Sequence, residues 1–321
     1  MDLRQLEYIV KIAEENNITH AAEKLHITQS ALNQQLLKLE KELEVPLFHR
    51  SRTNWRPTEA GEIYLEAARQ MLQMKKDTYF RIHDLADIRK GQLSVGFTPG
   101  RGIAMFSQVY PKFHGKYPNI LVTPRELSVQ KQQSLLLSGD LDLGFVTLVP
   151  SQQKSALRYT RLAAEQLLAA VPIRHPAATP LNAETPADSY SSLDAETPAD
   201  SHPSPDELDL YALREEPFVL TSPESTLREL TDEIFKKAGF APHVLFETAS
   251  NATIATMVSA EMCCGIVPEF YAKGHEDRIR FFRLPGHPAW DIMACHHKNR
   301  YLSRAARDFI ALAKDFWTEE L

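Results

Sequence analysis

Amide and hydroxyl side chains cluster at the start of a short predicted helix near the amino terminus. Gln29 and Asn33 are four residues apart, so both project from one side of that helix. Asparagine and glutamine side chains can bond the N6 and N7 atoms of adenine in a bidentate way. The other polar residues that we assign to this base-reading surface are Thr28, Ser30, Gln34 and Lys38. The alternative is a small helical bundle whose polar face is only solvated.

A basic segment follows in the chain, between His49 and Arg56. It contains three arginines, Arg50, Arg52 and Arg56, and no acidic residue. Arginine contacts to phosphate add affinity for DNA without carrying sequence information. Because the segment directly follows the predicted base-reading helix, we expect it to form a wing against the sugar–phosphate backbone. A solvated hairpin is the alternative.

A second group of polar residues lies where predicted strands end in the carboxyl-terminal part of the chain. In open α/β sheets ligands bind at the carboxyl ends of strands, and helix N-termini favour anions. This rule predicts a binding site made of Thr98, Gly100, Arg101, Ser128, Thr147, Thr221, Ser222, Ser250 and Asn251. Each of these residues could instead serve only as a helix cap or turn residue. Arg101 could neutralise a carboxylate, but we expect its side chain to project into solvent.

The predicted base-reading helix is the third of three short helices. Apolar residues at helical spacing define the first helix, namely Leu3, Leu6, Val10 and Ala13. Thr19 is the expected N-cap of the second helix. Thr28 is the expected N-cap of the third, which extends to about Leu43 and has its core residues at Leu32, Leu36 and Leu39. A helix, a tight turn and a second helix with a polar face form the geometry that enters a major groove.

A long helix is predicted from Pro57-Thr58-Glu59 to about Arg89, with Thr58 as its N-cap. Residues at spacings of three and four form an imperfect seam that Arg81 interrupts: Tyr64, Ala67, Met71, Met74, Thr78, Leu85 and Ile88. Such a seam is typical of a coiled coil. We therefore expect the helix to pair with a second copy of itself; packing against its own domain is the alternative.

From Gln92 onward the pattern alternates between strands and helices. Predicted strands cover 93–97, 120–127, 141–147, 218–221, 243–247, 263–267, 279–284 and 290–296. Predicted helices follow Gly100 and cover 129–137, 226–238, 251–260 and 303–316. This alternation indicates parallel sheets with helices on both faces, and its length favours two lobes over one.

The composition, with 43% hydrophobic and 24% charged residues, excludes a membrane protein, a disulfide-stapled secreted domain and a fully disordered chain. No signal sequence is evident at the start, so a cytoplasmic protein is expected. The net charge of −6 comes largely from an acidic segment between His175 and Leu213. That segment contains the repeat Ala-Glu-Thr-Pro-Ala-Asp-Ser at 183–189 and 195–201. We interpret 176–205 as a mobile surface insertion; a regulatory or partner-docking loop is the alternative.

No sequence motif points to catalysis or to a cofactor. We find no nucleophile elbow, P-loop or zinc-ligand spacing, so an enzyme is not predicted. His296 and His297 are neighbours on a predicted strand and point to opposite faces, which argues against a metal site. Cys263 and Cys264 lie in an apolar strand and are interpreted as packing residues, with a thiol sensor as the alternative.

The amino-terminal sequence resembles the helix-turn-helix of LysR-type transcriptional regulators. The resemblance rests on Leu3–Tyr8, Thr19–Leu32, Leu39-Glu40, and Pro46–Arg50 through Thr58–Gly61. Weaker matches continue in order at Phe113–Pro118, Gly139–Leu143, His175-Pro176 and Gly265–Pro268. Asn33-Gln34 stands where the family commonly shows Ser-Arg, and Glu44 stands in place of Gly, so no operator sequence is carried over.

The resemblance implies an N-terminal all-α winged helix-turn-helix, a long linker helix and a C-terminal α/β two-lobed effector domain like periplasmic binding proteins. It places the DNA-binding domain at 1–58, the dimerising linker helix at 59–90 and the effector domain at 91–321. Lobe I would take 91–163 and 269–321, and lobe II would take 164–268. It further implies tetramers that bind double-stranded DNA, and a small metabolite as effector in the cleft between the lobes; the helix N-termini predicted there favour an anionic one.

Two functions are therefore compared. The first is a transcriptional regulator that responds to an effector. The second is a solute-binding or enzymatic α/β protein whose amino-terminal helices only oligomerise it.

Overall fold

The structure is a computed structural model, and it describes residues 2–51, 54–86, 90–178 and 207–320. Three parts of the sequence predictions lie outside the described residues: Arg52 of the wing, Ile88 of the seam and residues 179–205 of the insertion. The chain folds into a helical amino-terminal domain, a long helix and an α/β part with two lobes, as the sequence predicted.

The amino-terminal domain contains three helices, α1 (Leu3–Glu15), α2 (Ile18–Lys24) and α3 (Gln29–Leu43). A two-stranded hairpin follows, formed by β1 (Phe48–His49) and β2 (Arg56–Pro57), and it leads into α4 (Glu59–Leu85). The apolar core includes Leu6, Ile9, Ile12, Leu32, Leu36, Leu39, Leu47 and Leu65. The short helices are thus held together mainly by burial of leucine and isoleucine side chains.

Two details of the first helices differ from the prediction. Leu3 is 43% exposed, because the first turn of α1 extends beyond the core. The N-cap of α2 is Asn17 rather than Thr19: the Asn17 side chain accepts from the amides of Thr19 and His20. Asn16 has a left-handed backbone with φ of 48°, so α1 ends there and α2 begins two residues earlier than a cap at Thr19 would place it. Asparagine tolerates this conformation and caps helices well, which explains the placement.

Helix α3 agrees closely with the prediction. The Thr28 hydroxyl accepts a hydrogen bond from the Ala31 amide and caps the helix. Leu32, Leu36 and Leu39 are buried, as expected. The helix ends at Glu44, whose φ of 58° places a non-glycine residue in the left-handed region.

The two halves of the long helix α4 lie in different environments. Its amino-terminal half buries Tyr64, Leu65 and Ala68 against the helical domain. Tyr64 therefore does not belong to the predicted seam, because its ring fills the domain's own core. Further along, an exposed apolar stripe contains Met71, Met74, Ile82 and Leu85, and Ile63 in the amino-terminal half is also exposed. The helix ends at Leu85, short of the predicted end at Arg89.

The first lobe contains the following elements before the chain crosses over: β3 (Lys90–Phe97), α5 (Arg101–Lys116), β4 (Asn119–Glu126), α6 (Val129–Ser138) and β5 (Leu143–Leu148). The second lobe contains β7 (Pro217–Thr221), α7 (Thr226–Ala238), β8 (His243–Thr248), α8 (Asn251–Ser259), β9 (Gly265–Pro268) and β10 (Ile279–Arg283). The chain then returns to the first lobe with β11 (Ala289–His297) and α9 (Arg304–Glu320).

One long strand, β6 (Leu157–Pro172), joins the two lobes and was not predicted. Its first part pairs with β11, and its last part pairs with β9 and β10. The proposed boundary between residues 163 and 164 falls inside this strand. Its amino-terminal part is half exposed while 167–172 is buried throughout, so no single periodicity marks it as a strand.

The seven-stranded sheet is mixed rather than parallel, whereas β7 and β8 form a separate parallel pair. The strands β3, β4 and β5 are parallel, but β11 runs antiparallel to both β5 and β6. No helix separates β11 from β10 along the chain, so the alternation of strands and helices is interrupted at this point. The antiparallel direction of β11 is the feature that the alternation did not reveal.

The beginning of the predicted insertion is folded. Pro176–Ala178 forms a 3-10 turn, and Ala178 is buried in the core of the second lobe. Among the described residues no helix is long and apolar enough to cross a membrane.

Candidate functional site

The polar face of α3 is available to a binding partner. Gln29, Ser30, Gln34 and Lys38 are exposed, whereas Asn33 is half-buried at the edge of the face. Thr28 is exposed, but its hydroxyl is engaged by the Ala31 amide and lies 3.1 Å from the Ser30 hydroxyl. The structure thus brings the predicted base-reading residues of α3 onto one surface, with Thr28 mainly fixing the start of the helix.

The predicted wing is a hairpin, but its arginines differ in environment. Arg50 forms an ion pair with Glu40 of α3 and stacks over the Trp55 ring at 5.7 Å. Glu40 is only 8% exposed and also accepts from the Leu47 amide over 2.8 Å. Because Arg50 compensates this buried carboxylate, it ties the wing to α3. Arg56 is exposed on β2.

A cavity of about 310 Å³ lies between the two lobes. Eight of the nine predicted binding residues line it: Thr98, Gly100, Arg101, Ser128, Thr147, Ser222, Ser250 and Asn251. Thr221 does not line it, because this residue is buried at the end of β7. The carboxyl ends of strands from both lobes therefore meet at one cavity, as the sheet-edge rule predicted.

Four helices begin at this cavity. Gly100, Ser128, Ser225 and Ser250 are the N-caps of α5, α6, α7 and α8, and all four line the cavity. The three serines cap their own helices, whereas Gly100 offers no side-chain cap to α5. Each helix N-terminus contributes partial positive charge and amide donors, so the cavity favours an anion.

Gly100 is needed where α5 begins. Its φ of 75° lies in the left-handed region, and an added Cβ would be 2.9 Å from the Tyr271 hydroxyl. A larger residue here would both strain the backbone and move Tyr271, which lines the cavity.

The expectation that Arg101 projects into solvent is wrong. Arg101 is 4% exposed, forms an ion pair with Glu165, and lies over the Trp290 ring at 4.7 Å. The Trp317 ring of α9 is 6.0 Å away, so two tryptophans cover the first turn of α5. Burial lowers the pKa of Arg101 to about 10, which leaves the guanidinium protonated at neutral pH.

The sequence reasoning missed three residues at the floor of the cavity. Trp290 and Tyr271 line it, and Glu165 lies behind Arg101 with no exposed surface. Glu165 belongs to the unpredicted strand β6, and Trp290 lies near the start of β11, whose pairing with β6 was also not predicted. A lone acid within a largely apolar run was the one available signal for Glu165.

Hydrogen bonds connect the two lobes beside the cavity. The Gln130 side-chain amide donates to the Glu224 carbonyl oxygen over 2.7 Å. The Thr226 hydroxyl donates to the Thr147 carbonyl oxygen over 2.9 Å. The Gln152 amide bonds the Glu229 carboxylate. All three bonds join the start of the α7 region to the first lobe.

The long helix α4 is also bound to the first lobe. The Lys76 ammonium is 2.6 and 2.7 Å from the two carboxylate oxygens of Asp142. Asp84 accepts from the Tyr301 hydroxyl over 2.9 Å and from the Arg304 amide over 2.7 Å. The bond from the Arg304 amide satisfies a backbone donor at the start of α9. These contacts hold α4 against the first lobe.

The three cysteines are buried thiols. Burial raises the pKa of Cys263 to about 11 and that of Cys264 to about 12. Thiolates are the reactive form, so these residues react slowly at neutral pH. The environment agrees with the interpretation of Cys263 and Cys264 as packing residues.

Comparisons with known proteins match both parts of the chain. Residues 3–62 match the bacterial regulatory helix-turn-helix protein of the lysR family, and residues 86–190 and 198–318 match the LysR substrate binding domain. The HTH-type transcriptional regulator YcgK of Bacillus subtilis strain 168 is 25% identical over 315 residues, which is 98% of this chain and 94% of YcgK.

Two solved structures share the fold. Full-length OxyR of Pseudomonas aeruginosa aligns with a TM-score of 0.70 and 22% identity, over 98% of this chain and 94% of OxyR. CbnR in complex with its target DNA aligns with a TM-score of 0.59 and 23% identity, over 98% of this chain and 99% of CbnR.

The relatives are regulators rather than enzymes, which favours the first of the two functions and overturns the second. The helix-turn-helix match covers the helical amino-terminal domain, and the substrate-binding-domain match covers the two-lobed part, with most of α4 between the two. The chain belongs to the LysR family of transcriptional regulators, with a DNA-binding domain and an effector-binding domain.

Proposed function

We propose that α3 enters the major groove of double-stranded DNA and reads base edges with its exposed polar face. Gln29, Asn33 and Gln34 carry the amide groups suited to adenine, and Lys38 extends the face toward a phosphate or guanine. The exposure of Gln29, Gln34 and Lys38, with the half-buried Asn33 at the edge of the same face, is the observation that carries the proposal. CbnR, which shares this fold, was solved in complex with its target DNA, and this supports DNA as the partner.

The wing adds affinity rather than specificity. Arg56 is exposed on β2 and is suited to a phosphate contact, and Arg52 belongs to the same basic segment. Arg50 acts differently, since its ion pair with Glu40 holds the wing against α3. Arg50 thereby fixes the distance between the base-reading helix and the backbone-binding hairpin.

The long helix forms the dimer. Met71, Met74, Ile82 and Leu85 expose an apolar stripe on α4, and a second copy of the helix would cover it. Two DNA-binding domains joined in this way would each bind one half-site of a DNA operator. A tetramer of two such dimers completes the proposed assembly.

The effector is a small anionic metabolite that binds in the cavity between the lobes. Four helix N-termini and Arg101 face this space, and hydroxyls of Thr98, Ser128 and Thr147 line it. An effector that binds more tightly to one arrangement of the lobes shifts the population toward that arrangement. Through α4, which is bound to the first lobe, that shift would alter the spacing of the DNA-binding domains.

Two measurements with the full chain test this function. Selection of bound duplexes from a random pool, followed by gel shifts at several salt concentrations, should yield a preferred sequence and an affinity that falls with salt. In a thermal-shift screen, small organic acids that bind the cavity should raise the melting temperature of the protein. Absence of a preferred sequence contradicts the DNA-reading part, and stabilisation by neutral solutes instead of acids contradicts the effector part.

A further inference from the structure

Glu165 is a fully buried carboxylate at the junction of the two lobes. Its oxygens accept from the Arg101 guanidinium, from the Trp290 indole over 2.7 Å and from the Phe270 amide over 3.0 Å. The three donors come from separate elements: Arg101 opens α5, Trp290 lies at the start of β11, and Phe270 follows β9, while the acceptor Glu165 lies on β6. Both chain crossings between the lobes therefore meet at this carboxylate.

Glu165 also determines the charge at the floor of the cavity. Arg101 is the sole cationic side chain among the described residues that line it. One guanidinium nitrogen bonds Glu165, and within the described part of the chain the guanidinium makes no other hydrogen bond. Arginine has five N–H donors, so donors remain for a ligand that enters the cavity.

The remainder of the lining favours one acidic group on an otherwise apolar body. Pro99, Val129, Tyr271 and Trp290 contribute apolar surface, and the helix N-termini contribute amide donors. Thr147 is 5% exposed and lines the cavity, and none of the hydrogen bonds among the described residues uses its hydroxyl. Glu224 places a further carboxylate at the rim. A second acidic group on the ligand would meet no additional cation.

We propose that Glu165 is a positioning residue that sets the charge selectivity of the cavity: it holds Arg101 at the floor, shares the guanidinium with the ligand, and so restricts the effector to a monocarboxylate with an apolar body. This rests on the proposed function of the cavity as an effector site. Because the Trp290 indole bonds the same carboxylate at the point where the chain returns to the first lobe, a ligand that pulls Arg101 away from Glu165 also alters the contact at this return crossing.

Three probes of equal length test this selectivity: hexanoate, its neutral isostere hexanamide, and adipate with two carboxylates. Wild-type full-length protein should bind hexanoate more tightly than either of the others, measured by intrinsic fluorescence, since Trp290 lines the cavity. In Glu165→Gln the competing negative charge is gone. Hexanoate should bind about tenfold more tightly, adipate should gain more than hexanoate because both of its carboxylates are repelled by Glu165 in the wild type, and hexanamide should be unchanged.

Glu165→Gln leaves Arg101 buried without its counter-ion and should lower the melting temperature. Hexanoate should then raise the melting temperature of this variant more than that of the wild type, because the ligand carboxylate replaces the missing charge. The double variant Arg101→Gln/Glu165→Gln removes both charges, and it should fold and bind hexanoate and hexanamide alike. Glu224→Gln removes the same charge at the rim and should change hexanoate binding far less.

The outcomes separate this inference from the proposed function. If wild-type protein does not prefer hexanoate over hexanamide, or binds none of the probes at millimolar concentration, the anionic effector site itself is wrong, and the inference with it. If wild-type protein prefers hexanoate but Glu165→Gln changes the affinity for hexanoate and hexanamide equally, Glu165 is only structural. Retention of the hexanoate preference by the double variant also overturns the inference.

Discussion

The Thr226 hydroxyl donates a hydrogen bond to the Thr147 carbonyl oxygen over 2.9 Å, and both residues are buried beside the cavity. Thr226 is the first residue of α7 in the second lobe, and Thr147 lies near the end of β5 in the first. The bond spans the cleft directly, so its state reports on the relative position of the lobes. An effector in the cavity would touch both residues that make it.

Thr226→Val should loosen the cleft. The substitution keeps the shape of the side chain but leaves the Thr147 carbonyl without this donor, which costs about 1 to 3 kcal/mol for a buried group. Amide hydrogen exchange in the first turn of α7 should become faster. Thr256→Val is a matched control, because the exposed Thr256 hydroxyl bonds only within its own helix. Equal exchange in wild type and Thr226→Val would show that the bond does not hold the lobes together.

Glu44→Gly should stabilise the DNA-binding domain by about 1 kcal/mol. Glu44 ends α3 with φ of 58°, a conformation that costs a residue with a Cβ about 1 to 2 kcal/mol and costs glycine little. Urea unfolding measures the change. Glu42→Gly, two residues earlier within the helix, should instead destabilise by roughly 0.5 to 1 kcal/mol. Destabilisation by both substitutions would contradict the assigned helix end.

Arg56 and Arg50 should affect salt dependence differently. Arg56→Gln removes an exposed phosphate-binding group, so the slope of log affinity against log salt should fall by about one. Arg50→Gln should change the slope less, since Glu40 already pairs with Arg50 in the free protein. It should instead lower the domain's melting temperature, because Glu40 is left buried without its cation. The same slope change for both variants would argue against a positioning role for Arg50.

Met74→Glu should break the proposed dimer. Met74 is 71% exposed in the middle of the apolar stripe of α4, so a partner helix would bury the new charge. Burial of an unpaired charge is costly enough to weaken association roughly tenfold or more. Sedimentation velocity measures the assembly. Thr318→Glu, which adds the same charge on the exposed end of α9, should leave it intact; a normal assembly in Met74→Glu would exclude this stripe as the interface.

The local rules of helix formation predicted much of the amino-terminal domain. Thr28 and Thr58 cap α3 and α4 as expected, since their hydroxyls can accept from amides three residues onward. The rule that ligands bind at the carboxyl ends of strands likewise predicted a common site for Thr98, Ser128 and Ser250, without knowledge of the topology. These successes depend on chemistry within a few residues of each position.

The failures depend on distant parts of the chain. Arg101 was expected in solvent because its local sequence is unremarkable, yet Glu165 and Trp290 bury it from strands far along the chain. Strand β6 escaped prediction because its two ends belong to different environments. Arg50 appeared to be a phosphate contact, and only the fold shows that Glu40 lies within reach.

The most direct test of the central claim compares two amide side chains on α3. Asn33 lies on the proposed base-reading side, and Gln35 is exposed on the other flank of the helix. With a duplex selected by the wild-type chain and a scrambled duplex, Asn33→Ala should lose about 1 to 3 kcal/mol of discrimination. Gln35→Ala should retain it. If both variants discriminate as well as the wild type, or if Asn33→Ala weakens both duplexes equally, α3 does not read DNA through this face.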